Sequence, residues 1–213
     1  VESAGYTKTP PGWQAAKTNF FCRATICYAP NAFLDPTTLR DRDPMTEAAE
    51  SLPTPPDTLL GYLTELGISY VEHAHPPLRT VEDSKTLRGE MPGGHCKNLF
   101  LRNKKGKMWL VVTLEDAAVD LKELAARLEA GRLSFGSADR LMTHLGVRPG
   151  AVCPFSVMND RDGAVQIVLQ NAMMAHDPLN YHPLVNDRTI ALKPADLIRF
   201  LEAVDHPPQY IDL

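Results

Sequence analysis

The residues able to do chemistry gather in three short stretches. Lys97 enters an apolar run, Asn98-Leu99-Phe100-Leu101, straight after the break Met91-Pro92-Gly93-Gly94 and the pair His95-Cys96. A strand fixes the base of such a lysine while its ammonium sits at the rim of a pocket. The plain alternative is a solvated lysine at a strand end. The second stretch is Gly146-Val147-Arg148-Pro149-Gly150-Ala151-Val152-Cys153-Pro154, where two prolines stiffen the backbone and two glycines open it. Main-chain groups exposed on such a loop bind a small polar ligand, although a simple helix-to-strand connection would read the same way. The third is Asn180-Tyr181-His182-Pro183-Leu184-Val185-Asn186, a histidine and an asparagine bracketing Pro-Leu.

The familiar catalytic signatures are missing: no G-x-S-x-G, H-E-x-x-H, Walker loop or G-x-G-x-x-G occurs. Seven histidines raise a metal site, with His73 and His75 two apart and His176 and His182 around Asp177. His75 precedes Pro76-Pro77, where a strand ends, and no acidic residue is spaced to complete a ligand set, so no metal and no cofactor are expected. Cys96 is the one tempting nucleophile. Adjacent side chains on a strand point to opposite faces, which sets it apart from Lys97.

The elements that must position these groups begin at about residue 57. Residues 1–56 hold eight prolines and no sustained apolar period, and are expected to form a weakly ordered extension. Val1 and Met45 also suggest a start codon nearer Met45. From Asp57, a cap candidate, Leu59, Leu60, Leu63 and Leu66 recur at helical spacing up to Gly67. A strand over 68–73 and a short helix over 80–88 follow. Runs 98–102 and 108–114 flank Asn103-Lys104-Lys105-Gly106-Lys107, the pattern of a hairpin. Helices are expected over 120–130, 137–145 and 194–204, and strands over 165–169 and 189–192. Irregular alternation with one hairpin reads as α+β with a mixed sheet.

Composition bounds the function. Of 213 residues 44% are hydrophobic and the net charge is −4, so a protein that coats DNA by its whole surface is excluded. The longest apolar runs are too short to span a bilayer. Four cysteines without a C-x-x-C pair do not make a disulfide scaffold. The simplest reading is a soluble, reduced, cytoplasmic protein with no membrane or DNA partner.

Taken in order, Pro92-Gly93-Gly94-His95-Cys96-Lys97-Asn98-Leu99-Phe100-Leu101, then Gly146-x-x-Pro149-Gly150-x-x-x-Pro154, then His182-Pro183-Leu184-x-Asn186 resemble the freestanding prolyl-tRNA editing domains of the YbaK/ProX superfamily. The ProX (ProXp-ala, PrdX) branch is the nearest. Pro194-Ala195-Asp196-Leu197-x-x-Phe200-Leu201 resembles that branch too, and the likeness runs from about residue 57 to 213. It implies a partly barrel-like mixed sheet flanked by helices and a trans-acting deacylase of mischarged Ala-tRNA(Pro). No cofactor is implied, and prolyl-tRNA synthetase is a possible partner. Lys97 and Asn98 would position the 3′ end. Gly150, Ala151, Val152 and Pro154 would cradle the aminoacyl group, with Asn186 beside them, and His182 would line the amino-acid pocket. Ammonium and cradle would face one small cavity. The family uses no obligatory protein nucleophile; the 2′-hydroxyl of the terminal adenosine assists water. Arg88, Arg102, Lys104, Lys105 and Arg148 are the candidates for tRNA phosphates. Gln170 stands where close relatives are expected to carry aspartate, which leaves the preferred amino acid open. Other mischarged tRNAs (Cys-tRNA(Pro), Ser/Thr esters) and a non-catalytic tRNA- or synthetase-binding module are the alternatives.

Overall fold

A computed structural model describes residues 52–77 and 91–213. The helix expected over 80–88 and most of the extension expected over 1–56 lie outside the described residues. Packing is already in place at Leu52, which is buried, and at Thr54, whose Oγ1 donates to Asn159 Oδ1 at 2.6 Å.

The first helix, α1 (Pro56–Glu65), buries Leu59, Leu60 and Leu63, a stripe at spacings of one and three residues that turns one face inward. Full burial of a leucine side chain contributes about 1.5–3 kcal/mol. Its cap is Pro55 rather than Asp57. Proline has no N–H to leave unsatisfied and its fixed φ suits a helix start, while Asp57 sits in the first turn, where its charge complements the helix dipole. Gly67, at φ 69°, ends the turn in a conformation glycine adopts without strain.

Strand β1 (Tyr70–Ala74) follows, then β2 (Gly94–Asn103) and β3 (Met108–Leu114), which form the expected hairpin with Cys96 opposite Leu114 and Arg102 opposite Met108. Helix α2 (Leu121–Arg127) is capped by Asp120, whose Oδ1 accepts the amide of Lys122 at 2.6 Å. It stops short of the expected residue 130 because Glu129 and Gly131 turn left-handed, at φ 49° and 69°. Then come β4 (Leu133–Phe135), α3 (Ala138–Leu145) capped by Ser137 and closed by Gly146, and a 3-10 helix Pro154–Asn159. Strand β5 (Val165–Gln170), a second 3-10 helix Asn171–Ala175, β6 (Leu179–Tyr181), β7 (Arg188–Leu192), α4 (Pro194–Ala203) and β8 (Gln209–Ile211) complete the order.

The strands form one mixed sheet in the order β1-β7-β6-β2-β3-β5-β8, with β4 on β2. The sheet does not close on itself, so the barrel-like expectation reduces to an open sheet with helices on both faces. On one edge of β2, β6 pairs at Gly94 and His95 and β4 at 101–103, with the Gly136 amide donating to the Phe100 carbonyl at 2.9 Å. Between them residues 96–99 have no strand neighbour on that edge among the described residues.

Strand alternation sorts the core into two clusters. Phe100, Leu110, Val112, Ile167 and Leu169 face the larger, which α1, α3 and α4 cover. Leu101, Trp109, Val111 and Val168 face the smaller, closed by Leu124 of α2, Leu133 and Ile211.

Candidate functional site

The turn before β2 is held from one side. Gly93 adopts φ 104°, and a Cβ there would run into the Pro178 carbonyl, so the close approach of the two segments requires glycine. The Gly94 amide donates to that carbonyl at 2.8 Å, and Asn180 Nδ2 donates to the carbonyls of Pro92 (3.0 Å) and Gly94 (3.3 Å). The start of β2 is thereby fastened to β6.

Lys97 emerges three residues later on the face of Leu99 and the smaller cluster. Its ammonium donates to the main-chain carbonyls of Glu115 (2.9 Å) and Ala117 (2.5 Å), in the segment that leads from β3 to α2. Among the described residues two of its three protons are used and one remains. Thr113 stands opposite Lys97 across the hairpin. Its hydroxyl donates to Gln170 Oε1 at 2.6 Å, which also accepts the Leu114 amide at 2.9 Å. Lys97, Thr113 and the buried Gln170 form a row across β2, β3 and β5.

Cys96 and Asn98 point the other way. Burial pushes the Cys96 thiol up to about 11, the adjacent Tyr181 hydroxyl pulling against it. Cys153 is likewise pushed up to about 11 by burial, with amides of Leu184, Ser156 and Phe155 opposing. Both are thiols at neutral pH, the reverse of an activated nucleophile. Asn98 Oδ1 is buried without a hydrogen-bond partner; a buried acceptor left open costs about 1–3 kcal/mol.

The two loops singled out in the sequence meet. Gly150, at φ 93°, lies beside Asn186, a Cβ on it falling 3.7 Å from Asn186 Nδ2. The Leu184 amide reaches the Cys153 sulfur. Leu184 itself is buried at φ 68°, a conformation that costs a non-glycine residue about 1–3 kcal/mol and persists only under tight packing. The Ala151 amide turns back to the Arg148 carbonyl at 3.1 Å, whereas those of Val152 and Cys153 make no main-chain hydrogen bond among the described residues. Pro154 opens the 3-10 helix.

His182 Nδ1 lies 2.8 Å from the Arg188 carbonyl. A carbonyl only accepts, so that nitrogen carries the proton and Nε2 presents a lone pair. Burial lowers the pKa of His182 below the ordinary 6.5; the Arg188 carbonyl and Asp187 oppose this and His75 adds to it. The rings of His75 and His182 are 5.9 Å apart. His75 Nδ1 donates to the Pro76 carbonyl and its Nε2 accepts from the Thr189 hydroxyl, so it serves as a neighbour of His182. Among the described residues no three His, Cys, Asp or Glu side chains are grouped to hold a metal, and no helix is long and apolar enough to cross a membrane.

Lys97 and the 150–154 loop lie on opposite faces of β2: Val152 and Cys153, with Phe155 just after the loop, pack on the larger cluster with Cys96, while Lys97 lies with Leu99 on the side of the smaller one. The reason is alternation combined with the β2–β6 pairing, which decides the face on which the loops stack. Cys96 and Asn98 are the β2 side chains on the loops' face. Of the phosphate candidates, Arg88 lies outside the described residues. Lys104 and Lys105 are exposed at the hairpin tip, Arg102 leans on the Asn103 carbonyl at 3.5 Å, and Arg148 is exposed on the Gly-Pro loop. Thr113 carries no functional reading in the sequence, while His75 is read there only as a metal candidate and Asn180 only as the first residue of the third stretch. The signal was faint: polar residues inside or just beyond apolar strand runs.

Residues 75–200 match the model of the aminoacyl-tRNA editing domain family. The chain is 35% identical over 156 residues to the "Prolyl-tRNA editing protein ProX" of Acetoanaerobium sticklandii, covering 73% of this chain and 95% of the relative. It is 36% identical over 155 residues to "Prolyl-tRNA synthetase associated domain-containing protein 1" of Xenopus laevis, covering 70% and 92%. A crystal structure described as "a putative trans-editing enzyme for prolyl tRNA synthetase" shares the fold, with a TM-score of 0.56 at 18% identity over 75% of this chain and 97% of that one. With more than half its length matched and relatives this similar, the chain belongs to the aminoacyl-tRNA editing domain family, whose chemistry is hydrolysis of aminoacyl-tRNA esters.

Proposed function

We propose that this chain is a trans-acting deacylase that removes alanine from mischarged Ala-tRNA(Pro), in the cytoplasm beside prolyl-tRNA synthetase. The observation that carries the reading is the junction of the 150–154 and 182–186 loops at Cys153 and Gly150, on the face of β2 that also bears the open acceptor of Asn98. The amides of Val152 and Cys153, without a main-chain acceptor among the described residues, are donors for an ester carbonyl as negative charge develops on it. His182 Nε2 is an acceptor for the substrate ammonium or for a proton of the attacking water. Asn98 Oδ1 takes a hydroxyl or amine of the bound 3′ end. Lys97 acts from the other side of the same strand, its third proton meeting the terminal phosphate or the ester. The two sides come together along the edge of residues 96–99, which no strand covers among the described residues.

With both described cysteines held as thiols, no protein nucleophile is required: water attacks the ester, the 2′-hydroxyl of the terminal ribose assists, and alanine and uncharged tRNA leave. A synthetase pocket made for proline discriminates a few missing methylenes by only about 1–3 kcal/mol. A rigid second pocket that rejects the larger pyrrolidine ring supplies the rest, and the Gly-Pro loop has that rigidity.

One observation favours a second reading, a non-catalytic tRNA-binding module: the Lys97 ammonium is already engaged with two carbonyls, away from the loops. Deacylation of a panel of mischarged tRNAs, with and without chelator, separates the two. Alanyl ester cleavage that survives chelation and is lost in a folded Lys97→Ala variant supports the deacylase. No cleavage of any ester, or cleavage indifferent to Lys97→Ala, overturns it.

A further inference from the structure

A cleft of about 400 Å³ opens at the far end of β2, where the β2–β3 turn meets the connection from α2 to β4. Lys104, Lys105 and Lys107 line it from the turn and Arg132 from the connection, against one carboxylate, Glu129. Four cations in one recess of a chain whose net charge is −4 concentrate a field of the opposite sign. Arg132 is far in sequence from the hairpin and carried no signal of its own.

The recess is built rather than incidental. Asn103 is buried at its floor, 5% exposed. Its Nδ2 donates to the Ala130 carbonyl at 2.9 Å and its Oδ1 accepts the Lys107 amide at 3.1 Å, while its own main-chain groups exchange hydrogen bonds with Lys107 and Gly106. One side chain thus ties both walls together, so the cations are spaced before any ligand arrives, which lowers the ordering cost of binding. Asn103 also lies six residues along β2 from Lys97 and therefore on the same face. At a strand rise of about 3.3 Å per residue the separation is about 20 Å. A group held at Lys97 and a group held in the cleft cannot be one phosphate.

We propose that this cleft is a phosphate-binding site for the tRNA body, engaging backbone phosphates upstream of the 3′ end whose ester is handled near Lys97 and Asn98. The inference rests on the deacylase reading for the identity of the polyanion, and on charge and geometry for the site. Lysine and arginine at this spacing grip phosphodiesters without reading bases, so the cleft adds affinity and register and carries no sequence preference.

The test is equilibrium binding of uncharged tRNA(Pro) to the full chain between 50 and 200 mM salt, for wild type and the double variant Lys105→Gln/Arg132→Gln. Both side chains are exposed, so the fold is spared; circular dichroism checks this. Each lost phosphate contact flattens the slope of log K against log salt by about 0.7–0.9, so the variant is expected to lose about 1.4–1.8 from its slope. In deacylation assays KM rises while kcat holds. An unchanged slope overturns the site, as does equal competition by polyglutamate at matched charge, which would mark a general anion patch. The two readings fail separately: wild type that cleaves no ester sinks the deacylase even if the slope falls, and an active wild type with an unaltered slope sinks the cleft alone.

Discussion

Gln170 offers the sharpest test of how the Lys97 side of β2 is held. Its buried Oε1 accepts the Thr113 hydroxyl at 2.6 Å and the Leu114 amide at 2.9 Å. Replacing it with leucine keeps the approximate volume and removes the acceptor. The Leu114 amide then has nothing to donate to, at about 1–3 kcal/mol. The Thr113 hydroxyl can turn to the Leu114 carbonyl, 3.4 Å away, and so contributes less, about 1 kcal/mol. A loss of about 2–4 kcal/mol is expected, read in urea melts as a lower midpoint at unchanged slope. The consequence reaches the site because the segment after Leu114 provides both carbonyls that hold the Lys97 ammonium: kcat for ester hydrolysis should fall in Gln170→Leu even at temperatures where the variant is fully folded. Adding Thr113→Val removes the stranded hydroxyl, so the double variant should regain about 1 kcal/mol relative to additivity. Gln170→Leu with wild-type stability, or a strictly additive cycle, would refute the idea that this row is one unit.

Two other outcomes follow from the site. Because His182 titrates below 6.5 in the folded chain, the unfolded chain binds the proton more readily, and stability declines as pH falls below 6.5 rather than at neutral pH; His182→Gln should abolish that part of the decline in melts from pH 7 to 5. The same sign places the acid limb of ester hydrolysis below 6.5, and a limb above it would exclude Nε2 as the working acceptor. For Cys96, a thiol pushed up to about 11 is ionised to about one part in ten thousand at pH 7, so alkylation should quicken about tenfold per pH unit up to that value. Cys96→Ala should retain ester hydrolysis, and its loss would put the nucleophile back on the protein.

Local chemistry carried much of the fold in the sequence. The hairpin was legible because two apolar runs frame a turn whose glycine, Gly106, takes φ 87°. Helix α3 was legible from Ser137 and Gly146 at its ends, and α4 from Pro194. Strands β4, β6 and β8 were not, since three residues such as Leu179-Asn180-Tyr181 are too few to show a period and exist as strands only through long-range pairing. For the same reason the loops containing Gly150 and His182 could be identified but not placed. That Cys96 and Lys97 oppose each other was readable from alternation, whereas which of the two would meet those loops depended on β6 pairing in parallel with Gly94 and His95. Gln170 was visible only as an amide at a strand end until the β3–β5 register put it beside Thr113.

The cramped turn at Gly93 has a consequence for how such a protein can drift. Since side chains along a strand take alternate sides, deleting or inserting a single residue between this anchor and Lys97 would exchange the ammonium for a neighbour on the side of the loops. The length of this segment is locked. A chain that gained one residue there would keep every ingredient of the site and lose their arrangement, becoming a well-folded protein with its cation on the wrong side of the strand.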